Sequence, residues 1–209
     1  VAKYDRVASD HESGVVQLVR LLSAQGRKRI LRLWTAPADA PWIAAHDRAY
    51  ARTVRELGIK PLPAVYVPPL PVRVENDPVA FEIRTRILAG YLAEQLKANK
   101  EPPDALMLGT DSEIFPAAAA CRILGLEPGR DILITGYDNY WHSAFERGYE
   151  PTAPFATVDK RNAAIGGELI RLLHQRLEDA SSRPPQLISV QQTAIEVQLA
   201  PLRLFRKTP

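Results

Sequence analysis

Hydrophobic positions along the chain alternate between a helical rhythm and a strand-like one. Val15, Leu18, Val19 and Leu22 recur at i, i+3, i+4 and i+7, which sets them on one face of a helix that follows Val7-Ala8 and closes at Gly26. Residues 29–34 then read as a short strand. A second helix is predicted over 43–57, with Tyr50, Val54 and Leu57 aligned and Gly58 as its stop. Residues 64–67 form another strand candidate before a proline-rich loop. Asn76-Asp77-Pro78 is a helix start with proline just inside, followed by the stripe Ala80, Ile83, Ile87 and Tyr91. Residues 104–109 and 131–136 are apolar runs of the buried-strand type. Between them lies an alanine-rich helix that Asp111 or Ser112 can cap and Gly125 ends. After an aromatic and polar loop, Asp159 opens a helix bearing Ile165, Leu169, Leu172, Leu173 and Leu177. Residues 187–190 and 195–199 complete the strand candidates. This alternation predicts an α/β fold: a mostly parallel sheet covered by helices, with a late antiparallel edge.

Composition narrows the picture. A chain of 209 residues corresponds to one domain or two small lobes, and 46% hydrophobic residues suffice for a core. No apolar run is long enough to span a bilayer, and the first ten residues, with Lys3, Asp5 and Arg6, do not form a secretory signal. A single cysteine, Cys121, excludes a disulfide framework and a cysteine-rich zinc module, and fits a cytoplasmic protein. Lys and Arg exceed Asp and Glu by 27 to 24, a net charge of +3 too weak for a dedicated nucleic-acid surface. The small basic clusters (Arg27-Lys28-Arg29 with Arg32, Arg84 with Arg86, Arg203 with Arg206-Lys207) read as solvated positions or strand flanks. The chain begins at Val1 rather than methionine and reads as a fragment.

In an open parallel sheet, ligands bind beyond the carboxyl ends of the strands. Here that rule selects residues 34–42, Thr110-Asp111 and the loop Gly136-Tyr137-Asp138-Asn139-Tyr140-Trp141-His142. The loop combines a carboxylate, an amide and aromatic faces, a mixture suited to a sugar or nucleoside. It can equally be a turn whose Asp bonds its own backbone while the aromatics pack. Asp111 can accept from a ligand or cap the following helix. Dinucleotide, phosphate-loop, serine-hydrolase and zinc-protease signatures are all absent. His11, His46, His142 and His174 show no metal spacing. His142 with Asp138 could serve as base and orienter, but no nucleophile accompanies them. Neither an enzyme nor a cofactor or metal protein is expected, and Cys121 reads as a small core residue.

Four landmarks resemble the effector-binding domain of the lactose-repressor/galactose-repressor (LacI/GalR) family, over about residues 7–198. They are Ala8-Ser9-Asp10-His11-Glu12-Ser13-Gly14 with Gln25-Gly26-Arg27-Lys28-Arg29-Ile30, then Pro103-Asp104-Ala105-Leu106-Met107-Leu108-Gly109-Thr110-Asp111, then Leu124-Gly125-Leu126-Glu127-Pro128-Gly129-Arg130-Asp131-Ile132 leading to Gly136-Tyr137-Asp138-Asn139, and Pro154-Phe155-Ala156-Thr157-Val158. The resemblance implies a periplasmic-binding-protein-like fold, with one nearly complete lobe and a remnant of a second. The corresponding partition is 29–155 with 187–209 for the carboxy-terminal lobe and 1–28 with 156–186 for the partial amino-terminal lobe. On that partition the apolar faces of the first and last helices would be exposed.

The resemblance further implies a small-molecule effector in the cleft, allosteric control of DNA affinity, and a homodimer whose surface includes residues 113–125 and the loop near Tyr149. DNA contact would come only through a helix-turn-helix that this chain lacks. Asp138 falls at the family's ligand-binding carboxylate, Asp111 at an aspartate that Thr110 precedes in place of asparagine, and His46 where an arginine is usual. Lys160 stands where glutamine is common. Together the two lines of reasoning assign ligand contacts to His46, Thr110, Asp111, Asp138, Asn139 and Trp141. The competing readings are a stand-alone solute-binding or sensory module without DNA, and a small enzyme using His142 and Asp138.

Overall fold

Alternate residues of the buried strands point to opposite sides of one sheet, and this period of two organises the chain. The computed structural model describes residues 4–37, 39–68, 77–98, 101–178 and 184–197. Six strands form the main sheet: β2 (Ile30–Trp34), β3 (Val65–Tyr66), β4 (Ala105–Leu108), β5 (Leu133–Thr135), β6 (Ala156–Asp159) and β8 (Thr193–Glu196). They lie in the order β3-β2-β4-β5-β6-β8. All pairings are parallel except β6 with β8, which supplies the antiparallel edge that the sequence pattern predicts. A second, two-stranded parallel sheet pairs β1 (Arg6–Asp10) with β7 (Leu187–Gln191).

Helices α1 (His11–Ala24) and α2 (Pro41–Glu56) cover one face of the main sheet, packing Leu18, Leu22, Ile43 and Tyr50 onto Ile30, Trp34, Ala105 and Met107. Helices α3 (Pro78–Ala98) and α4 (Ile114–Ile123) cover the other, against Leu31, Leu33, Leu106 and Leu108. Helix α5 (Asn162–Glu178) lies instead against β1 and β7. Asp10 caps α1 by accepting from the backbone amides of Glu12 and Ser13, and Gly26 follows α1 with a φ of 75°, open only to a residue without a Cβ penalty. Among the described residues, no helix is long and apolar enough to cross a membrane.

Several expectations are corrected here. The first helix does not belong with the smaller unit: α1 packs on α2 and the main sheet, so Val15, Leu18, Val19 and Leu22 are buried rather than exposed. Strand β6, placed at 156–186 with the partial lobe, pairs in the main sheet, whereas β7, placed with the larger lobe, pairs with β1. A helix's apolar stripe specifies that it is covered, not which sheet covers it. The dimer surface expected over 113–125 and near Tyr149 is not among these corrections: α4 buries Ile114, Phe115, Ala117, Ala118 and Cys121 inside the chain, while Ile123 at its end and Tyr149 beyond it are exposed. Neither Asp111 nor Ser112 caps α4, which starts without a side-chain cap bond. Arg32 is not solvated: its guanidinium lies 3.9 Å over the Tyr50 ring and 2.6 Å from Asp47 Oδ1. The cluster at Arg203, Arg206 and Lys207, and residues 198–199 of the last strand candidate, lie outside the described residues.

The chain passes between the two units at three places: from Asp10 into His11, from Asp159 through Lys160 and Arg161 into α5, and through Gln192 between β7 and β8. Gln192 is buried. Its backbone amide donates to Ser13 Oγ at 3.1 Å, its carbonyl accepts from Gln17 Nε2 at 2.9 Å, and its side-chain oxygen accepts from the Tyr137 hydroxyl.

Candidate functional site

The carboxyl ends of four main-sheet strands converge on one side, where the chain leaves each strand: Thr35-Ala36 after β2, Gly109-Thr110 after β4, Tyr137-Asp138 beyond β5, and Lys160 after β6. With His11 at the start of α1 and Trp42 and His46 from α2, they line a cavity of about 300 Å³, the size of a small-ligand site. Gly109 is required at this point, because a Cβ there would stand 2.9 Å from Trp42 Cη2.

Rings form the wall. His46 lies 4.7 Å from Tyr137, 5.1 Å from Trp42, 5.7 Å from Trp34 and 5.8 Å from His11, centroid to centroid. The His46 side chain, in a residue only 2% exposed, has no hydrogen-bond partner at either ring nitrogen. Burial, reinforced by the charges of His11 and Lys160 and opposed by Asp47, pushes its pKa down to about 3. The ring is therefore neutral at physiological pH and offers one donor and one acceptor. His11 is shifted in the same direction, chiefly by burial.

The polar part of the lining centres on Asp138. Its Oδ1 lies 2.5 Å from Lys160 Nζ, and its Oδ2 accepts from Thr110 Oγ1 at 3.3 Å. With the threonine proton so directed, the 2.9 Å contact between Thr110 Oγ1 and the Tyr140 hydroxyl has tyrosine as donor. Asp138 and Asn139 adopt φ values of 95° and 55°, conformations that L-residues rarely hold. They persist because β6 grips the turn: the Asp138 amide donates to the Val158 carbonyl at 2.8 Å and the Asn139 amide to Thr157 Oγ1 at 3.3 Å.

Of the six residues assigned from sequence, His46, Thr110 and Asp138 line the cavity, while Asp111, Asn139 and Trp141 do not. Asp111 is fully buried beneath the site. Its Oδ2 accepts from the amides of Tyr140 and Trp141 at 2.7 and 2.9 Å, and its Oδ1 from Thr157 Oγ1 at 2.7 Å. Burial raises its pKa to about 6 despite those bonds. Asp111 thus ties down the loop instead of reaching a ligand. That tie turns Trp141 away: its ring packs on the α3–α4 side of the core, with the Arg147 guanidinium 5.5 Å above it. The Asn139 amide reaches towards Asp159 Oδ2 at 3.5 Å. His142 is exposed and outside the lining, so the His142–Asp138 pair has no common cavity.

Seven lining residues were not among those six; besides Thr35, Ala36 and Gly109 they are His11, Trp42, Tyr137 and Lys160. Trp42 and Tyr137 sit in the loops that the strand-end rule selects. Nothing in the local pattern distinguishes His11 as the first residue of a helix, and Lys160 stood out only as an unusual residue at its position.

Comparison with known proteins agrees with the architecture. The family model described as a periplasmic binding protein-like domain matches residues 19–196. Among curated proteins, the chain is 30% identical over 123 residues to the HTH-type transcriptional repressor PurR of Pectobacterium atrosepticum, covering 57% of this chain and 34% of that protein. A second PurR, from Pectobacterium carotovorum, matches at 30% over 109 residues, 52% of this chain and 30% of the relative. The chain thus spans about one third of the length of the curated relatives it matches. Among solved structures, a regulatory protein of the LacI family from Chloroflexus aggregans superposes with a TM-score of 0.69 at 23% identity, over 94% of this chain and 64% of that one. A complex of the transcriptional regulator CelR with cellobiose gives 0.68 at 17%, over 92% and 53%. A periplasmic binding protein/LacI transcriptional regulator from Alkaliphilus metalliredigens, complexed with D-xylulofuranose, gives 0.64 at 14%, over 92% and 64%. These structural likenesses are likenesses of fold.

Proposed function

The chain belongs to the periplasmic binding protein-like domain family, and from that premise we propose that it is the effector-sensing domain of a LacI/GalR-type transcriptional regulator. It takes a sugar-like or nucleoside-like molecule in the strand-end cavity, and occupancy controls the DNA affinity of a homodimeric, cytoplasmic protein. DNA is contacted through a helix-turn-helix outside this chain. One observation carries the reading. The cavity lies at the carboxyl ends of β2, β4, β5 and β6, walled by Trp42, Tyr137 and His46, with Asp138, Lys160 and Thr110 as polar groups. Ring faces suit the apolar side of a sugar or base, and the polar groups suit its hydroxyl edge.

The same cavity supports an allosteric role. His11 and Lys160 sit at two of the passages between the two units, and Tyr137 is bonded to Gln192 at the third. A ligand touching all three has differential contact with any two arrangements of those units, which coupling requires. Sensing rather than catalysis fits a lining whose buried imidazole is neutral, without a partner to activate or orient it.

The test is a panel of pentoses, hexoses and nucleosides scored by melting temperature and tryptophan fluorescence. A ligand at a hundred times its Kd stabilises by about 2.7 kcal/mol, a rise of several degrees. Asp138→Ala is expected to remove that rise. A response unchanged in this variant would remove the proposed site.

A further inference from the structure

The charge arrangement of the cavity narrows the ligand class further, an inference that rests on the cavity being the ligand site. We infer that the site selects uncharged molecules, rejecting carboxylated and phosphorylated counterparts of the same sugar or nucleoside, because the one carboxylate and the one ammonium that line it among the described residues neutralise each other.

Asp138 and Lys160 are the carboxylate and the ammonium of the lining, with Oδ1 and Nζ 2.5 Å apart. Among the described residues, no arginine lines the cavity. The remaining ionisable side chains among the described lining residues are His11, His46 and Tyr137, each held towards the neutral form chiefly by burial. Beyond the lining, the charges acting on these imidazoles include the carboxylates of Asp10 and Asp47. An entering phosphate or carboxylate would find no free cation among the described lining residues. It would have to draw Lys160 from Asp138 and strand a part-buried carboxylate, an arrangement that is strongly unfavourable away from water.

An uncharged ligand faces no such conflict. The His46 ring, its nitrogens unpartnered, has its centroid 4.7 Å from that of Tyr137, so the bound molecule is expected to carry both a donor and an acceptor beside a flat or apolar face. Monosaccharides and nucleosides share this chemistry, and separate arms of the test distinguish them.

The experiment titrates matched pairs into the protein by calorimetry: D-glucose against D-glucuronate, D-ribose against ribose 5-phosphate, and adenosine against its 5′-monophosphate. Within any pair that binds, the neutral member is expected to bind at least about tenfold more tightly. Two variants then move the preference in opposite directions. Asp138→Asn frees Lys160 and is expected to shift the glucuronate-to-glucose affinity ratio at least about tenfold towards the acid. Lys160→Met frees Asp138 and is expected to shift the glucosamine-to-glucose ratio by a similar factor towards the amine. Lys160 is partly exposed, so its replacement leaves the core intact. A charged member that binds as well as its neutral partner, or variants that leave both ratios unmoved, overturns the inference while the ligand site stands. Failure of every probe overturns the site itself.

Discussion

The six-stranded sheet and the β1–β7 pair use the same parallel pairing and differ sharply in what covers them. All residues of β2 and β4 are buried, since helices lie on both faces. In β1 no residue is fully buried, and in β7 only Val190 is. The helices show the same contrast: α1 buries Val15, Leu18, Val19 and Leu22, whereas α5 buries Leu172 alone and exposes Leu169, Ile170, Leu173 and Leu177. Polar anchoring compensates in part. Arg176 grips Asp5 through two bonds of 2.6 and 2.8 Å, and the Gln186 amide donates to the same carboxylate at 2.7 Å. Apolar burial therefore dominates the cohesion of the larger unit, while directed charge contacts carry more of it in the smaller one. The two should fail under different stresses.

The largest effect is expected in the core. Phe115, wholly buried between α4 and the sheet, should lose about 3–5 kcal/mol on replacement by alanine, from lost transfer energy and the cavity left behind. Urea denaturation followed by far-ultraviolet dichroism measures it. A loss below about 1 kcal/mol would mean that the main sheet is not packed as described.

The next effect distinguishes the units by pH. Asp111 in the larger unit has its pKa raised to about 6 from 3.8, so the folded state holds this proton more firmly than the unfolded chain. Its contribution is fully present below pH 4 and is lost as pH rises through 6, by about 3 kcal/mol in all. Asp111→Asn removes the ionisation. The stability of the native protein relative to this variant should therefore fall between pH 4 and pH 6 and level off above. A difference that stays constant across the window would contradict the buried carboxylate. Asp5 in the smaller unit behaves oppositely: Arg176 and the Gln186 amide lower its pKa to about 2, so its contribution is present above pH 4 and lost on further acidification. Hydrogen exchange at pH 2.5 should open β1 and β7 before β4, and Asp5→Asn should open them already at pH 6.

The same contrast explains what could be read without a structure. The strands of the main sheet were legible because short continuous apolar runs between helical patterns, as in Ala105-Leu106-Met107-Leu108, encode strands covered on both faces. The placement of α1 was not, since its stripe is compatible with either sheet and chain order suggested the wrong one. Within the site, His46, Thr110 and Asp138 followed from loop position and motif. Asp111 looked equally suited to a ligand. Only the fold shows the Tyr140 and Trp141 amides closing over it, and those bonds send Trp141 to the core. His11 and Lys160 enter the lining because two passages between the units meet there, a long-range feature with no local signature.

The smallest expected effect is the sharpest check on how α5 is held. Leu172 and Leu173 are adjacent, chemically identical and equally favourable in a helix, so propensity cannot separate them. Leu172 is 3% exposed and Leu173 58%. Replacing Leu172 by alanine should cost about 2–3 kcal/mol, the lower part of the range for buried leucines because the surroundings on this side can relax. Replacing Leu173 should change stability by less than about 0.5 kcal/mol, as for an exposed position without special contacts. Chemical denaturation of the two variants, read by exchange at the β1 and β7 amides, isolates the smaller unit. If the two losses are equal and large, the exposed side of α5 is covered in solution, and the contrast between the units disappears. If both are small, α5 is not held on β1 and β7 by packing at all, and the Asp5–Arg176 contact is what keeps it there.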